Sequence, residues 1–215
     1  LCFFACRVIR KQFRGKRFYF AAVMNASPQT VDYPIQRDDA SGGNSFSIRQ
    51  TPAIRHVPLA QGAIGTFQTL DAMAACVRGE IAPDFCGYEC LKVRSLAESL
   101  ITIESCFDYV AHKIAYEAHP LNEQVVQDAC RTIQFKTGDC VSKSVLLASL
   151  LFAAGYPCKF IAQYWDDEQC YSHVYVLARD EFGNEVRLDP VASDKPMGYS
   201  QSLPDGGFET SWEIF

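Results

Sequence analysis

The sequence predicts an α+β domain in which one buried, cysteine-bearing helix packs on an antiparallel sheet. Two observations carry that prediction. Residues 140–154 contain the run Val145-Leu146-Leu147-Ala148-Ser149-Leu150-Leu151-Phe152, apolar nearly all round. A helix with no wet face is a central one, buried on most sides. After Gly155 and Pro157, which stop that helix, three strand-like segments follow at 158–165, 171–178 and 185–188. The last two are joined across Gly183-Asn184, a pair suited to an antiparallel hairpin turn.

Around this centre the other elements fall in order. Residues 1–23 carry six basic side chains and no acid, whereas the rest of the chain holds 14 basic and 25 acidic residues. The segment lacks both the uninterrupted apolar stretch and the small-residue cleavage site of a secretory signal. Three readings stand: a basic amphipathic arm for a membrane or partner, a structured extension, or a stretch upstream of a natural start at Met24-Asn25-Ala26-Ser27. The last is favoured, which makes 1–23 an extension that is not native. Residues 24–53, centred on Ser41-Gly42-Gly43-Asn44, have the composition of a linker or arm. The compact domain is then 54–215.

Within it, Leu70, Met73, Ala74 and Val77 share one face of a helix over 66–78 that Gly79 ends. Residues 80–91 read as irregular. From Ser95, the stripe Leu96, Leu100, Ile103, Phe107, Val110, Ala111 and Ile114 predicts one long helix ending before Pro120. Residues 122–137 read as a connection with a helical turn near 124–130. From Ala192 onward, Pro196, Pro204 and Gly206-Gly207 predict mostly loop.

Composition narrows the function. The net charge of −5 and pI near 5.4 give no electrostatic footprint for nucleic acid. No apolar run approaches the roughly 20 residues of a membrane-spanning helix. Ten cysteines are too few for a disulfide scaffold in a chain of 215 residues. Cys86-x-x-x-Cys90 comes nearest to a metal pair, and no second pair completes it, so no metal or other cofactor is expected. Most cysteines read as small buried apolar residues of a cytoplasmic, reducing compartment, with disulfides or zinc as the other readings.

The chemistry concentrates in three places. Cys140 stands where the buried helix begins, beside unpaired N–H groups and the positive end of the helix dipole, a setting that stabilises a thiolate. Asp139 before it is a good helix cap. His173 lies in the alternating strand Tyr171-Ser172-His173-Val174-Tyr175-Val176, and Asp189 ends the next strand. A hairpin makes the two neighbours, as needed for an acid to orient an imidazole that pairs with a thiol. A second oxyanion donor is also required, and Gln127 is the candidate beside the Cys140 backbone N–H. Trp165, Tyr171 and Tyr175 are candidates for lining a cleft, and Asp166-Asp167-Glu168 marks an acidic loop beside the His173 strand. His56, His112 and His119 receive no role.

Gly138-Asp139-Cys140 with the following Leu-rich helix and Gly155-Tyr156-Pro157 resembles the Cys helix of the transglutaminase-like superfamily. Ser172-His173-Val174-Tyr175-Val176 and Leu188-Asp189-Pro190 resemble its His and Asp strands. The upstream stretches Ile54-Arg55-His56-Val57-Pro58-Leu59 and Gly65-Thr66-Phe67-Gln68-Thr69-Leu70 look like the front half of such proteins in phages and prophages. The resemblance implies a papain-like core and acyl transfer through a thioester, with Cys140 as nucleophile, His173 as proton shuttle and Asp189 as its anchor. The substrate would be a protein or peptide, attacked at a peptide, isopeptide or glutamine amide bond. The alternative is a structural or protein-binding module of the same fold with weak or lost activity, with a virion as its setting. Family members commonly carry two acids after the cysteine; this chain has Val141-Ser142 and then Lys143.

Overall fold

The computed structural model describes residues 8–13, 16–21, 54–57, 63–81, 85–118, 124–165 and 172–215. The chain divides into two units, Leu1–Ser47 and Ile48–Phe215. In the first, β1 (Val8–Phe13) and β2 (Lys16–Ala21) form an antiparallel hairpin that sets Val8 opposite Ala21 and Phe13 opposite Lys16. The segment expected as a linker, 24–53, lies outside the described residues.

The second unit opens with β3 (Ile54–Val57) and then α1 (Ala63–Arg78), whose predicted stripe of Leu70, Met73, Ala74 and Val77 is fully buried. The predicted long helix is two: α2 (Leu91–Leu100) and α3 (Ile103–Lys113). Ile101 takes a left-handed φ of 62° and Thr102 starts a new helix. The Thr102 side chain accepts from the Ser105 N–H at 3.1 Å, and the Ser105 hydroxyl accepts from the Thr102 N–H at 3.1 Å. This reciprocal cap satisfies donors that a continuous helix would bond internally. The apolar spacing of three across the break conceals it in the sequence.

A second correction concerns the connection before Cys140. After β4 (Ala115–Tyr116) comes a strand, β5 (Gln124–Gln127), where a helical turn was expected. It pairs antiparallel with β3, setting Ile54 opposite Gln127. Val125 and Val126 are β-branched residues suited to a pleated surface. The helix begins only afterwards, at α4 (Ala129–Phe135), where Asp128 accepts from the Arg131 N–H at 2.8 Å. β6 (Thr137–Gly138) then pairs in parallel with β4.

The predicted central helix is α5 (Cys140–Ala153), and every residue from Val141 to Leu151 is buried. α1 to α4 pack around it on one side and β8 (His173–Arg179) on the other. Gly155, at φ 89°, turns the chain out of the helix as expected. The sheet runs in the order β10 (Phe208–Glu213), β7 (Cys158–Tyr164), β8 and β9 (Glu185–Leu188), antiparallel throughout. β10 corrects the expected C-terminal loop. Phe208 stacks on Tyr164 with ring centroids 4.3 Å apart, and Trp212 packs near Phe67 at 5.5 Å. The turn-forming Pro204-Asp205-Gly206-Gly207 masks a strand whose identity depends on having β7 beside it.

Phe160, Ala162, Val174, Val176 and Leu188 belong to the core, on the sheet face toward α5. The opposite face carries a polar cluster that ties all four strands together. Arg187 of β9 holds Glu209 of β10 with two nitrogens, at 2.8 and 2.9 Å. Gln163 of β7 and the Tyr175 hydroxyl of β8 each donate to the same carboxylate at 3.0 Å. Those donors, Arg187 first, hold the Glu209 carboxyl down at about 2. A depressed carboxyl contributes stability that is complete above its unfolded value near 4.5 and vanishes as pH falls through 2. With both partners partly exposed, the contribution is ~1–2 kcal/mol. Urea titrations between pH 6 and pH 2 should therefore show an acid-side loss that Glu209→Gln lacks; parallel curves for the two proteins would refute it.

Candidate active site

Cys140 is the first helical residue of α5, and the Asp139 side chain caps that turn by accepting from the Ser142 N–H at 2.8 Å. Two contacts register the helix start against β8, both at Val174. The Ser144 hydroxyl donates to the Val174 carbonyl at 3.2 Å, and the Cys140 sulfur receives the Val174 backbone N–H. The thiol therefore sits one residue along the strand from His173.

His173 is the first residue of β8 and is buried. Its Nε2 lies 2.8 Å from Asp189 Oδ2, while Asp189 Oδ1 accepts from the Val191 N–H at 3.0 Å. Asp189 follows directly on β9, so the hairpin delivers it to the imidazole as the sequence predicts. With Nε2 held by the carboxylate, Nδ1 is the ring nitrogen left for a further partner. The structure thus brings Cys140, His173 and Asp189 into one neighbourhood.

One expectation about Cys140 changes. The helix start was expected to lower its pKa, yet the thiol is pushed up to about 12. Burial is the main cause, followed by the Asp139 carboxylate next to it. Backbone N–H groups of Val174 and Val141 act in the other direction but are outweighed. A sulfur removed from water loses more solvation as an anion than two N–H groups return. A thiol raised this far needs a base beside it before it can react as a thiolate.

Gln127 is buried, and its amide Nε2 donates to the Thr137 carbonyl at 3.1 Å. It stands directly behind the strand that leads into Cys140. A Cβ on Gly138 would come 2.8 Å from Ser142 Cβ and 3.2 Å from Gln127 Nε2, so glycine permits this close approach. Trp165 is 40% exposed with its ring centroid 6.4 Å from that of His173. Tyr175 is buried, and its hydroxyl joins the Arg187–Glu209 cluster, so it braces the sheet. Tyr171 and the acidic loop 166–168 lie outside the described residues.

Two residues escaped sequence reasoning. Tyr116, exposed on β4, pairs opposite Gly138 and lies close enough for Cys140 and Asp139 to add to the effect of burial in raising its phenol pKa. No motif marks it; only the parallel pairing of two-residue strands brings it there. Lys143, one turn after Cys140, is buried and donates to the Ala111 and Ile114 carbonyls at 3.4 and 2.9 Å. It occupies the exit of α3, where a cation meets the negative end of the helix dipole.

Residues 93–190 match the model of the family described as the transglutaminase-like superfamily. The match runs from near the start of α2 through α3, α4 and α5 and ends just after Asp189. Among solved structures, the chain is similar to one described as a "putative protease" from Parabacteroides distasonis ATCC 8503, at 12% identity and a TM-score of 0.45, covering 85% of this chain and 35% of that one. It is also similar to a "putative cysteine protease" from Cytophaga hutchinsonii, at 17% identity and a TM-score of 0.39, covering 57% of this chain and 48% of that one. The chain thus spans about a third and about half of those two proteins. No curated protein sequence matches it. Among the described residues, no helix is long and apolar enough to cross a membrane.

Proposed function

We propose that the protein is a cysteine-dependent acyl-transfer enzyme acting on a peptide, isopeptide or glutamine amide bond. The observation that carries this reading is the line from the Cys140 sulfur, one residue from His173, to the His173–Asp189 contact at 2.8 Å. His173 Nδ1 takes the thiol proton as the sulfur attacks the amide carbon. The C–N bond then breaks, and the leaving amine departs with that proton, leaving a thioester on Cys140. Water or a primary amine attacks the thioester, gives its proton to His173, and the thiol is restored. Asp189 accepts the Nε2 proton's hydrogen bond throughout, holding the ring and stabilising the imidazolium. The Cys140 backbone N–H, at the start of α5, is the first oxyanion donor; Gln127 supports the turn that presents it. Exposed Trp165, near the His173 ring, and exposed Tyr116, opposite Gly138, would line the approach to the sulfur.

A half-buried thiol whose pKa is raised favours a second reading, that the same fold serves as a binding or structural module. One experiment separates the two. The protein is incubated with a mixed library of glutamine-containing peptides, with and without a fluorescent primary amine, and the intact mass is read after acid quench. An acyl adduct on Cys140, absent from Cys140→Ala and consumed by added amine or water, is expected. Absence of any adduct or turnover, with peptides still retained by the folded protein, would support the binding module instead.

A further inference from the structure

Away from Cys140, the described residues contain one cluster of metal-binding side chains. The sulfurs of Cys86, Cys90 and Cys130 all lie within 4.8 Å of one another. The sequence shows only the pair Cys86-x-x-x-Cys90; the fold adds Cys130 from 40 residues beyond Cys90, with the Cys90 and Cys130 sulfurs 3.4 Å apart. Cys86 Cα stands 5.3 Å from that of Cys90 and 5.7 Å from that of Cys130. One sulfur can enter one disulfide, and the Cys86 sulfur lies at disulfide-bonding distance from both Cys90 and Cys130, so no single disulfide accounts for the trio. Three thiolates sharing one cation would draw all three sulfurs to one point.

We propose that Cys86, Cys90 and Cys130 form a zinc site, with water as the fourth ligand of a tetrahedron. Binding releases three thiol protons to solvent and leaves the zinc divalent, so no oxidant or reductant is involved. An all-sulfur donor set selects a thiophilic cation over magnesium or calcium. Cys86 and Cys130 are buried and Cys90 is partly open, which leaves one side for the metal to enter.

The backbone that presents the sulfurs is held independently of any metal. The Tyr88 N–H donates to the Val77 carbonyl at 2.8 Å and the Cys90 N–H to the Gly87 carbonyl at 3.1 Å. Gly87 presses against the end of α1 so closely that a Cβ there would lie 2.5 Å from the Gly79 nitrogen. The knuckle bearing Cys86 and Cys90 is thereby clamped in place, and Cys90 stands directly before the first residue of α2. Cys130 lies in the first turn of α4, ten residues before Cys140. The metal would fasten α2 to α4 and brace the frame from which the Cys140 turn is hung. This assignment stands apart from the acyl-transfer reading.

The full chain, purified under a phosphine reductant without chelator, is expected to hold one equivalent of zinc by elemental analysis, or to take it up from added Zn2+. Replacement by Co2+ should give a near-ultraviolet thiolate-to-cobalt absorption. Cys86→Ser and Cys130→Ser should weaken binding at least tenfold, whereas Cys140→Ser should keep the full equivalent. Because the serine variants of the trio risk misfolding, a second measurement uses the wild type alone. Zn2+ should slow iodoacetamide labelling of Cys86, Cys90 and Cys130 at least tenfold and leave Cys140 unaffected. Metal content well below one equivalent with Zn2+ present, retention of metal by a folded Cys130→Ser, or no protection of the three thiols would each overturn the assignment. A disulfide between two of them that persists in the reduced preparation would do the same. Loss of the zinc result leaves the Cys140 adduct experiment untouched, so the two readings fail separately.

Discussion

Cys140→Ala is expected to reduce acyl transfer at least ~10⁴-fold, and His173→Ala nearly as far, because a nucleophile and its base act as one unit. Asp189→Asn should cost ~10²- to 10⁴-fold through mispositioning of the ring. Since Asp189 acts through His173, the double variant His173→Ala/Asp189→Asn should be no slower than His173→Ala alone. Additive losses would indicate separate roles and break the proposed chain of contacts. The resting thiol sets a further signature. Burial and Asp139 push Cys140 up to about 12, so without a base its alkylation should rise about tenfold per pH unit from pH 7 with no plateau. His173→Ala should behave this way. The wild type should label faster at pH 7 and climb less steeply, because the imidazole takes the proton. Identical pH profiles for the two proteins would sink the assignment of His173 as base.

Lys143→Ala is expected to destabilise the domain by ~3–5 kcal/mol, since it leaves a cavity beneath Cys140 and strips donors from the buried end of α3. Lys143→Met preserves the volume and isolates the charge. Burial lowers the Lys143 pKa to about 8, against a small opposing pull from Asp189. A lysine whose folded value is depressed sheds its proton on folding between pH 8 and about 10.5, where the unfolded chain still holds one. Stability from this group is therefore lowest below pH 8 and rises with pH across that window. The total swing is ~3 kcal/mol. Unfolded cysteines and tyrosines also titrate there, so the quantity to follow is the wild-type minus Lys143→Met difference in urea midpoint. That difference should move in favour of the wild type from pH 7.5 to pH 10; a flat or falling difference would contradict it. The Lys143 ammonium joins the first turn of α5 to the exit of α3.

Where sequence reasoning failed, it failed at elements defined by their partners. α2 and α3 read as one helix because the apolar spacing of three crosses Ile101 and Thr102 undisturbed. β5 read as a helical turn because Val125 and Val126 reveal their role only against β3. β10 read as loop because Phe208, Thr210 and Trp212 find their packing on β7 and α1, 44 or more residues away. The trio of cysteines stayed hidden for the same reason: Cys130 joins Cys86 and Cys90 only once α4 is set against the start of α2.

The sequence by itself determined the α+β class, the buried helix behind Cys140, the His173 hairpin and Asp189 at its end. Each of these is local, set by apolar periodicity, a capping aspartate or a two-residue turn. The tertiary structure alone decided the state and surroundings of the sulfur. Burial, Asp139, and the N–H groups of Val174 and Val141 set its pKa, Tyr116 comes to it across β4 and β6, and Lys143 holds the turn from beneath. The physical reason is common to all of them. Solvation, cross-strand pairing and the satisfaction of helix ends depend on groups distant in the chain, and no local pattern records which of those groups will meet.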